Sequence, residues 1–229
     1  MGIKGQGIKI AVLDSGLGID YQDPEIRSQY NIVDIVDFTV KDSDALTGDS
    51  KLDTEAEPDE LQYAVDQNGH GTFVAGIIGS KIKECPGIAP EAQIYILKLF
   101  TDEEITYSAW FIDAFNYVID NQIDIVNLST ASKDTEDNPF KDKIDELTAK
   151  GVIVVSAIGN DGPVPGSTES PGDLINVIGV GSLSSNLDAV ASFSSRGMTK
   201  KQLNKGVGIP KPDVLLAGEG LISLDLSIG

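Results

Sequence analysis

The stretch Asn68-Gly69-His70-Gly71-Thr72-Phe73-Val74-Ala75-Gly76-Ile77-Ile78-Gly79 holds the only histidine of the 229-residue chain. A glycine stands on each side of His70, and small and apolar residues follow it. Histidine is the side chain whose ordinary pKa suits a general base near neutral pH. Bare flanking glycines would let a substrate backbone come close to the ring. The stretch predicts a helix that begins with a catalytic histidine, and a histidine that merely fills space at a helix start is the alternative.

The composition predicts a single globular domain with a full core. The chain is long enough for one domain, and 41% of its residues are hydrophobic. No apolar run reaches membrane-spanning length, so we expect no membrane segment. The chain begins Met1-Gly2-Ile3-Lys4, without the basic and then apolar residues of a leader. We therefore also expect any signal or pro-segment to lie outside this chain.

The charge argues against nucleic acid as a partner. The net charge is −19, from 36 acidic and 17 basic residues, and such a surface repels phosphate. Basic peptides or cations are the partners that this charge favours. The single cysteine, Cys85, excludes an internal disulfide and lies in a predicted turn, so we interpret it as structural.

Short apolar runs alternate with amphipathic segments along the chain. Helices are predicted from His70 onward, at 108–121 and at 140–150, where Gly151 ends the helix. The aromatic residues of the second helix are interpreted as core rather than as a cofactor site. Strands are predicted at 8–13, 94–100, 123–129, 152–157 and 175–180. This alternation predicts an α/β fold with a mostly parallel sheet and helices on both faces.

Polar residues follow two of the predicted strands. Asp14 comes after the first strand and opens a glycine-containing turn, and Asn160 follows the strand at 152–157. Ligands of open α/β sheets bind beyond the carboxyl ends of the strands. A phosphate site at the turn is disfavoured, because the third glycine of the dinucleotide fingerprint is missing and Asp14 would repel the anion. An aspartate that only caps a turn is the remaining alternative.

Residues 42–67 form an acidic, polar segment without the ligand spacing of an EF-hand. We interpret it as a solvated surface loop, and a structural calcium site made of scattered oxygens is the alternative. No other metal site is predicted.

Three side chains together suggest a catalytic constellation. Asp14 would hold the tautomer of His70, His70 would deprotonate a serine hydroxyl, and the Asn160 amide would donate to the oxyanion of a tetrahedral intermediate. The chain order of aspartate, histidine and strand-end asparagine matches one of the known serine hydrolase orders.

The segments around these residues resemble the aspartate, histidine and oxyanion-asparagine motifs of subtilisin-like serine proteases. They are Asp14-Ser15-Gly16, the stretch around His70, and Ser156-Ala157-Ile158-Gly159-Asn160. The resemblance covers nearly the whole chain, including Phe193-Ser194-Ser195-Arg196-Gly197. It implies a three-layer subtilisin-like fold over residues 1–229 and a serine endopeptidase acting on proteins. It further implies a parent protein of the secretory pathway, cleaving membrane-tethered or luminal substrates beside basic residues.

The chain departs from the family pattern at the nucleophile. The family serine lies in a Gly-Thr-Ser motif downstream of a Lys-Pro-Asp turn; Lys211-Pro212-Asp213 is present, but no Gly-Thr-Ser occurs. Ser223 and Ser227 have the wrong neighbours, so neither is assigned this role. We therefore expect either a fold truncated just before the serine, inactive alone, or a protein that has lost it.

A second departure concerns substrate binding. The family strand that pairs with substrate ends in Ser-x-Gly-Gly, whereas this chain has Ser129, Thr130 and Ala131 followed by Ser132, so side chains replace both glycines. These three residues are the predicted substrate-binding segment, which a peptide could still join by strand addition. The changes leave a second hypothesis open, a catalytically dead module that binds peptides or regulates an active relative.

Overall fold

The computed structural model describes residues 2–18, 28–39, 65–133, 138–202, 208–224 and 226. The chain divides into two compact units, Met1–Asp124 with Ile222–Gly229, and Ile125–Leu221. Of the predicted acidic loop, residues 42–64 lie outside the described residues, and residues 65–67 are described. Among the described residues, none of the helices has the length and hydrophobicity needed to cross a bilayer.

The first unit contains three parallel strands, β1 (Lys9–Asp14), β2 (Ile32–Asp37) and β3 (Gln93–Lys98). Their order is β2-β3-β1, so β3 pairs with both neighbours. The apolar residues in the middle of β1 and β3 are fully buried, as expected for a parallel strand covered on both faces. Both runs were predicted as strands, and both are confirmed.

Two helices complete the first unit. Helix α1 (His70–Gly79) packs against β1 and β3, and it begins at the predicted residue. Helix α2 (Ser108–Asp120) buries Trp110, Phe111, Ala114, Phe115 and Val118. Of the aromatic residues of α2, Trp110, Phe111 and Phe115 are therefore core, as the 3.6-residue spacing predicted, and Tyr117 is half-buried.

The second unit contains four parallel strands in the order β4-β5-β6-β9: β4 (Ile125–Leu128), β5 (Ile153–Ala157), β6 (Ile178–Leu183) and β9 (Val214–Ala217). β7 (Gly197–Gln202) and β8 (Gly208–Lys211) form a separate antiparallel pair. Helix α3 (Asn138–Ala149) packs against β5. Gly151 follows α3 with a φ of 90°, in the left-handed region that favours glycine, so its predicted role at the helix end is confirmed.

Parallel strands joined through helices confirm the predicted α/β class. The bounds of the other predicted elements differ by at most two residues from the observed ones, and the largest error is at β6, which covers Ile178–Leu183 rather than 175–180. The preceding residues form turns in which the N–H groups of Leu174 and Val177 donate to the carbonyls three residues earlier, at 3.0 and 3.3 Å. Strands β2, β7, β8 and β9 were not predicted. All four residues of β9 are exposed, so its sequence carries no burial pattern to recognise.

Candidate active site

Asp14 is the last residue of β1, and its side chain lies at the carboxyl end of the strand. The residue is only 3% exposed. Its Oδ1 atom accepts hydrogen bonds from the Ser15 N–H at 2.8 Å and from the Ser15 hydroxyl at 3.3 Å. The same oxygen lies 2.7 Å from Nδ1 of His70. The structure thus brings together the aspartate and histidine predicted to work as a pair.

His70 is the first residue of α1, and its backbone N–H donates to the Asn68 Oδ1 atom at 3.2 Å. The imidazole is half exposed, with 52% of its side-chain surface accessible. Because Asp14 is an acceptor, we assign the proton to Nδ1, which leaves Nε2 as the nitrogen able to accept another proton. A buried carboxylate that orients a solvent-accessible imidazole is the arrangement that a general base requires.

The surroundings hold the pKa of His70 above its ordinary value. The hydrogen bond to Asp14 is the largest cause; partial burial of the ring acts in the opposite direction and is outweighed. The negative charges of Asp14, Asp66 and Glu104 raise the pKa further. The protonated, cationic form of the imidazole is therefore stabilised.

Gly71 allows α1 to approach the turn that follows β1. Its N–H donates to the Ser15 hydroxyl at 2.9 Å. A Cβ atom at this position would lie 2.4 Å from the carbonyl oxygen of Gly16. We predicted that the glycines beside His70 leave room for a substrate backbone. At Gly71 the space is taken instead by the backbone of Ser15 and Gly16.

Asn160 belongs to the second unit, where it is exposed three residues beyond the end of β5. The neighbouring Gly159 has a φ of 107°, and its carbonyl accepts the N–H of the fully buried Ser195 at 3.0 Å. The Ser195 hydroxyl accepts the N–H of Asp161, also at 3.0 Å. One serine therefore holds the backbone on both sides of Asn160.

The predicted substrate-binding residues Ser129, Thr130 and Ala131 follow β4 directly and are half-buried. The Asn127 amide donates to the Ser129 hydroxyl at 2.8 Å. The next residue, Ser132, exchanges two backbone hydrogen bonds with Ser170, at 2.8 and 2.9 Å. The segment is thus anchored at both ends within its unit.

Sequence reasoning missed two buried charged residues near His70. Asp66 is 2% exposed and Lys98 is 4% exposed, and both bond to segments that flank Asp14 and His70. The sequence held one signal for the first of them. Gly69, directly before the helix, has no side chain to cap it, so a polar residue just upstream was needed.

Ser223 and Cys85, to which the sequence analysis gave no catalytic role, lie in the first unit. The Ser223 hydroxyl donates to the carbonyl of Phe73 at 2.6 Å, which is a structural contact with α1. Ser227 lies outside the described residues. Cys85 is half-buried, and its Sγ atom lies 3.7 Å from the carbonyl oxygen of Ile222. Within the described ranges, no group of three or more histidine, cysteine or acidic side chains is placed to hold a metal ion.

The chain belongs to the subtilase family, since the sequence pattern of that family matches residues 5–227. Among curated proteins it is 42% identical over 221 residues to the membrane-bound transcription factor site-1 protease of Homo sapiens, a match covering 96% of this chain and 18% of that protein. It is 40% identical over 228 residues to the subtilisin-like protease SBT6.1 of Arabidopsis thaliana, covering 100% of this chain and 20% of that protein.

A solved structure is similar as well. The S41 psychrophilic protease matches with a TM-score of 0.74 and 28% identity over 97% of this chain and 70% of that one. The subtilisin-like α/β fold that the sequence motifs implied is thereby confirmed. The chain spans about a fifth of the length of the two curated relatives.

Proposed function

We propose that this chain is the peptidase domain, residues 1–229, of a serine endopeptidase, and that it carries the proton-transfer pair of that enzyme. One observation supports this most strongly: the 2.7 Å contact between Nδ1 of His70 and Oδ1 of Asp14, with the carboxylate buried and the imidazole half exposed. Membership of a family of peptidases gives the reaction type, the hydrolysis of peptide bonds.

The proposed mechanism assigns a role to each candidate residue. Asp14 keeps the proton of His70 on Nδ1 and stabilises the imidazolium. Nε2 of His70 removes the proton of a serine hydroxyl, which attacks the scissile carbonyl. The Asn160 amide donates to the developing oxyanion, an interaction worth about 3 kcal/mol in such enzymes. Ser129, Thr130 and Ala131 pair with the extended backbone of the substrate.

The nucleophile of this mechanism comes from outside the 229 residues. The chain contains no Gly-Thr-Ser sequence. Because the chain spans about a fifth of its curated relatives, we include in the proposal a serine from further sequence of the parent protein. Without that serine the chain alone is inactive, since only binding and the oxyanion donor remain.

We also propose the setting in which the enzyme works. The net charge of −19 suits protein substrates with basic residues near the cleavage site. The similarity to a protease whose name refers to a membrane-bound transcription factor supports a parent protein of the secretory pathway that acts on membrane-tethered proteins. Structural calcium stays a prediction, because the acidic residues that suggested it lie outside the described ranges. Melting temperatures measured with and without calcium test it.

One experiment distinguishes a serine endopeptidase from a peptide-binding module without catalysis. The natural transcript is read beyond the codon for Gly229, and the encoded protein is treated with a fluorophosphonate, which labels activated serines. A Gly-Thr-Ser followed by labelling that needs His70 supports the endopeptidase. A stop codon, another residue at the serine position, or no labelling supports the binding module.

A further inference from the structure

We propose that Asp66 is a positioning residue for His70: its carboxylate ties the first turn of α1 to the turn after β1 and so sets the imidazole against Asp14. The catalytic purpose of this positioning rests on the proposed function, whereas the hydrogen bonds that produce it do not. Asp66 touches none of the reacting atoms, so its effect passes through the helix start.

Asp66 accepts four hydrogen bonds at the beginning of α1. Its Oδ1 atom receives the backbone N–H groups of Asn68 at 3.0 Å and Gly69 at 2.8 Å. Its Oδ2 atom receives both the N–H and the hydroxyl of Thr72, at 2.9 and 2.7 Å. Gly69 offers no side chain to cap the helix, so Asp66 satisfies these donors from three residues upstream. His70 lies between the bonded residues, so these hydrogen bonds fix the position of its backbone.

The same carboxylate is linked to the strand that carries Asp14. The Thr72 hydroxyl, which donates to Asp66, accepts the N–H of Gly18 at 2.7 Å. The Ser15 hydroxyl accepts the N–H of Gly71 at 2.9 Å. Two bridges therefore join the first turn of α1, which carries His70, to the turn after β1, which follows Asp14.

Charge reinforces this geometry. Burial alone would raise the pKa of Asp66, but hydrogen bonds from Thr72 and Gly69 outweigh it and hold the pKa below its ordinary value. Asp66 is therefore an anion at neutral pH, at the helix end where a negative charge is favoured. The acidic groups that raise the pKa of His70 are Asp14, Asp66 and Glu104.

The single histidine makes the test direct, because its Cε1–H resonance in the ¹H NMR spectrum of the 229-residue chain can be assigned without ambiguity and reports its titration. In Asp66→Asn the amide NH₂ replaces one acceptor oxygen and faces N–H donors. We expect the measured pKa of His70 to fall by about half a unit or more. The matched control is Asp37→Asn, since Asp37 also accepts the N–H and the hydroxyl of a threonine, Thr39, both at 2.7 Å. The control should leave the pKa of His70 unchanged.

A second pair of variants separates position from charge. Thr72→Val removes the bridging hydroxyl and leaves every charge in place, whereas Thr72→Ser keeps the hydroxyl. A positioning role predicts a lower pKa of His70 in Thr72→Val and a value close to the wild type in Thr72→Ser. An unchanged pKa in Thr72→Val overturns the proposal, even if Asp66→Asn shifts it through charge alone. If Asp66→Asn does not fold, the Thr72 pair decides. Since the titration needs no catalysis, its outcome is independent of whether the parent is a protease.

Discussion

Asp14 and Lys98 are register partners at the ends of the adjacent parallel strands β1 and β3. Their side chains hold the candidate site in different ways. Asp14 bonds to His70 directly. The buried ammonium group of Lys98 donates to the carbonyls of Ser15, at 2.9 Å, and Val65, at 3.0 Å, and lies 3.3 Å from a carboxylate oxygen of Asp102. Lys98 thereby joins the residue that follows Asp14 to the residue that precedes Asp66.

Replacing Lys98 by methionine should destabilise the protein, because Ser15 and Val65 lose their buried donor. We expect the free energy of unfolding to fall by about 1 to 3 kcal/mol in urea denaturation. The control is Lys4→Met, which removes an exposed ion pair with Glu91 and should leave the free energy of unfolding nearly unchanged. An equal loss in both variants would show that Lys98 does not brace the site.

The ion pair of His70 and Asp14 should make stability depend on pH in a defined direction. The folded state raises the pKa of His70, so the stabilisation is fully present below the unfolded value of about 6.5 and is lost as the pH rises through the folded value. Urea denaturation should show that the difference in unfolding free energy between the wild type and His70→Gln shrinks as the pH rises through that window. A difference independent of pH would contradict the pairing.

Adding a methyl group at Gly71 should disturb the approach of α1 to β1. The new Cβ atom would lie 2.4 Å from the Gly16 carbonyl oxygen, which is a backbone atom and cannot move aside easily. We expect Gly71→Ala to cost about 1 to 3 kcal/mol of unfolding free energy. In the control Gly79→Ala, in the same helix, the nearest atom is a side-chain carbon of Ile94 at 3.0 Å, so the loss should be smaller. The reverse order of the two variants would contradict the packing described.

Ser195 should control the order of the backbone around Asn160. In Ser195→Ala the N–H of Asp161 loses its acceptor, whereas the backbone bond to the Gly159 carbonyl remains. Hydrogen exchange at Asp161 should accelerate by about tenfold, which corresponds to the loss of about 1.4 kcal/mol of local protection. Replacement of the exposed Ser192 by alanine is the control and should leave that rate unchanged. Equal rates in both variants would count against the anchoring role of Ser195.

The sequence predicted the parts of the fold whose residues are buried. The apolar runs of β1 and β3 and the 3.6-residue spacing of α2 reflect burial directly, so their positions followed from composition along the chain. β2 and β9 were missed because pairing with a neighbouring strand, rather than burial, holds them. Asp34 and Asp37 interrupt the apolar pattern of β2, and the residues of β9 are all exposed.

The candidate site was predictable where chemistry restricts the choice of residue. Only one histidine is present, and Asp14 follows a buried strand, so their pairing could be anticipated. Asp66 and Lys98 were not anticipated, because an aspartate or lysine near a turn is usually a solvated residue. Only the backbone donors and acceptors that tertiary structure places around them show that they are buried supports.

We propose that His70, paired with Asp14, is the general base of a peptide hydrolase. The most direct test measures hydrolysis of a quenched fluorescent peptide by the parent protein with its natural sequence beyond Gly229, as wild type and as His70→Ala. We expect hydrolysis that rises with pH through the pKa of His70 and falls by a factor on the order of 10⁴ or more in the variant. No hydrolysis by the wild type, or equal rates in both proteins, would contradict it.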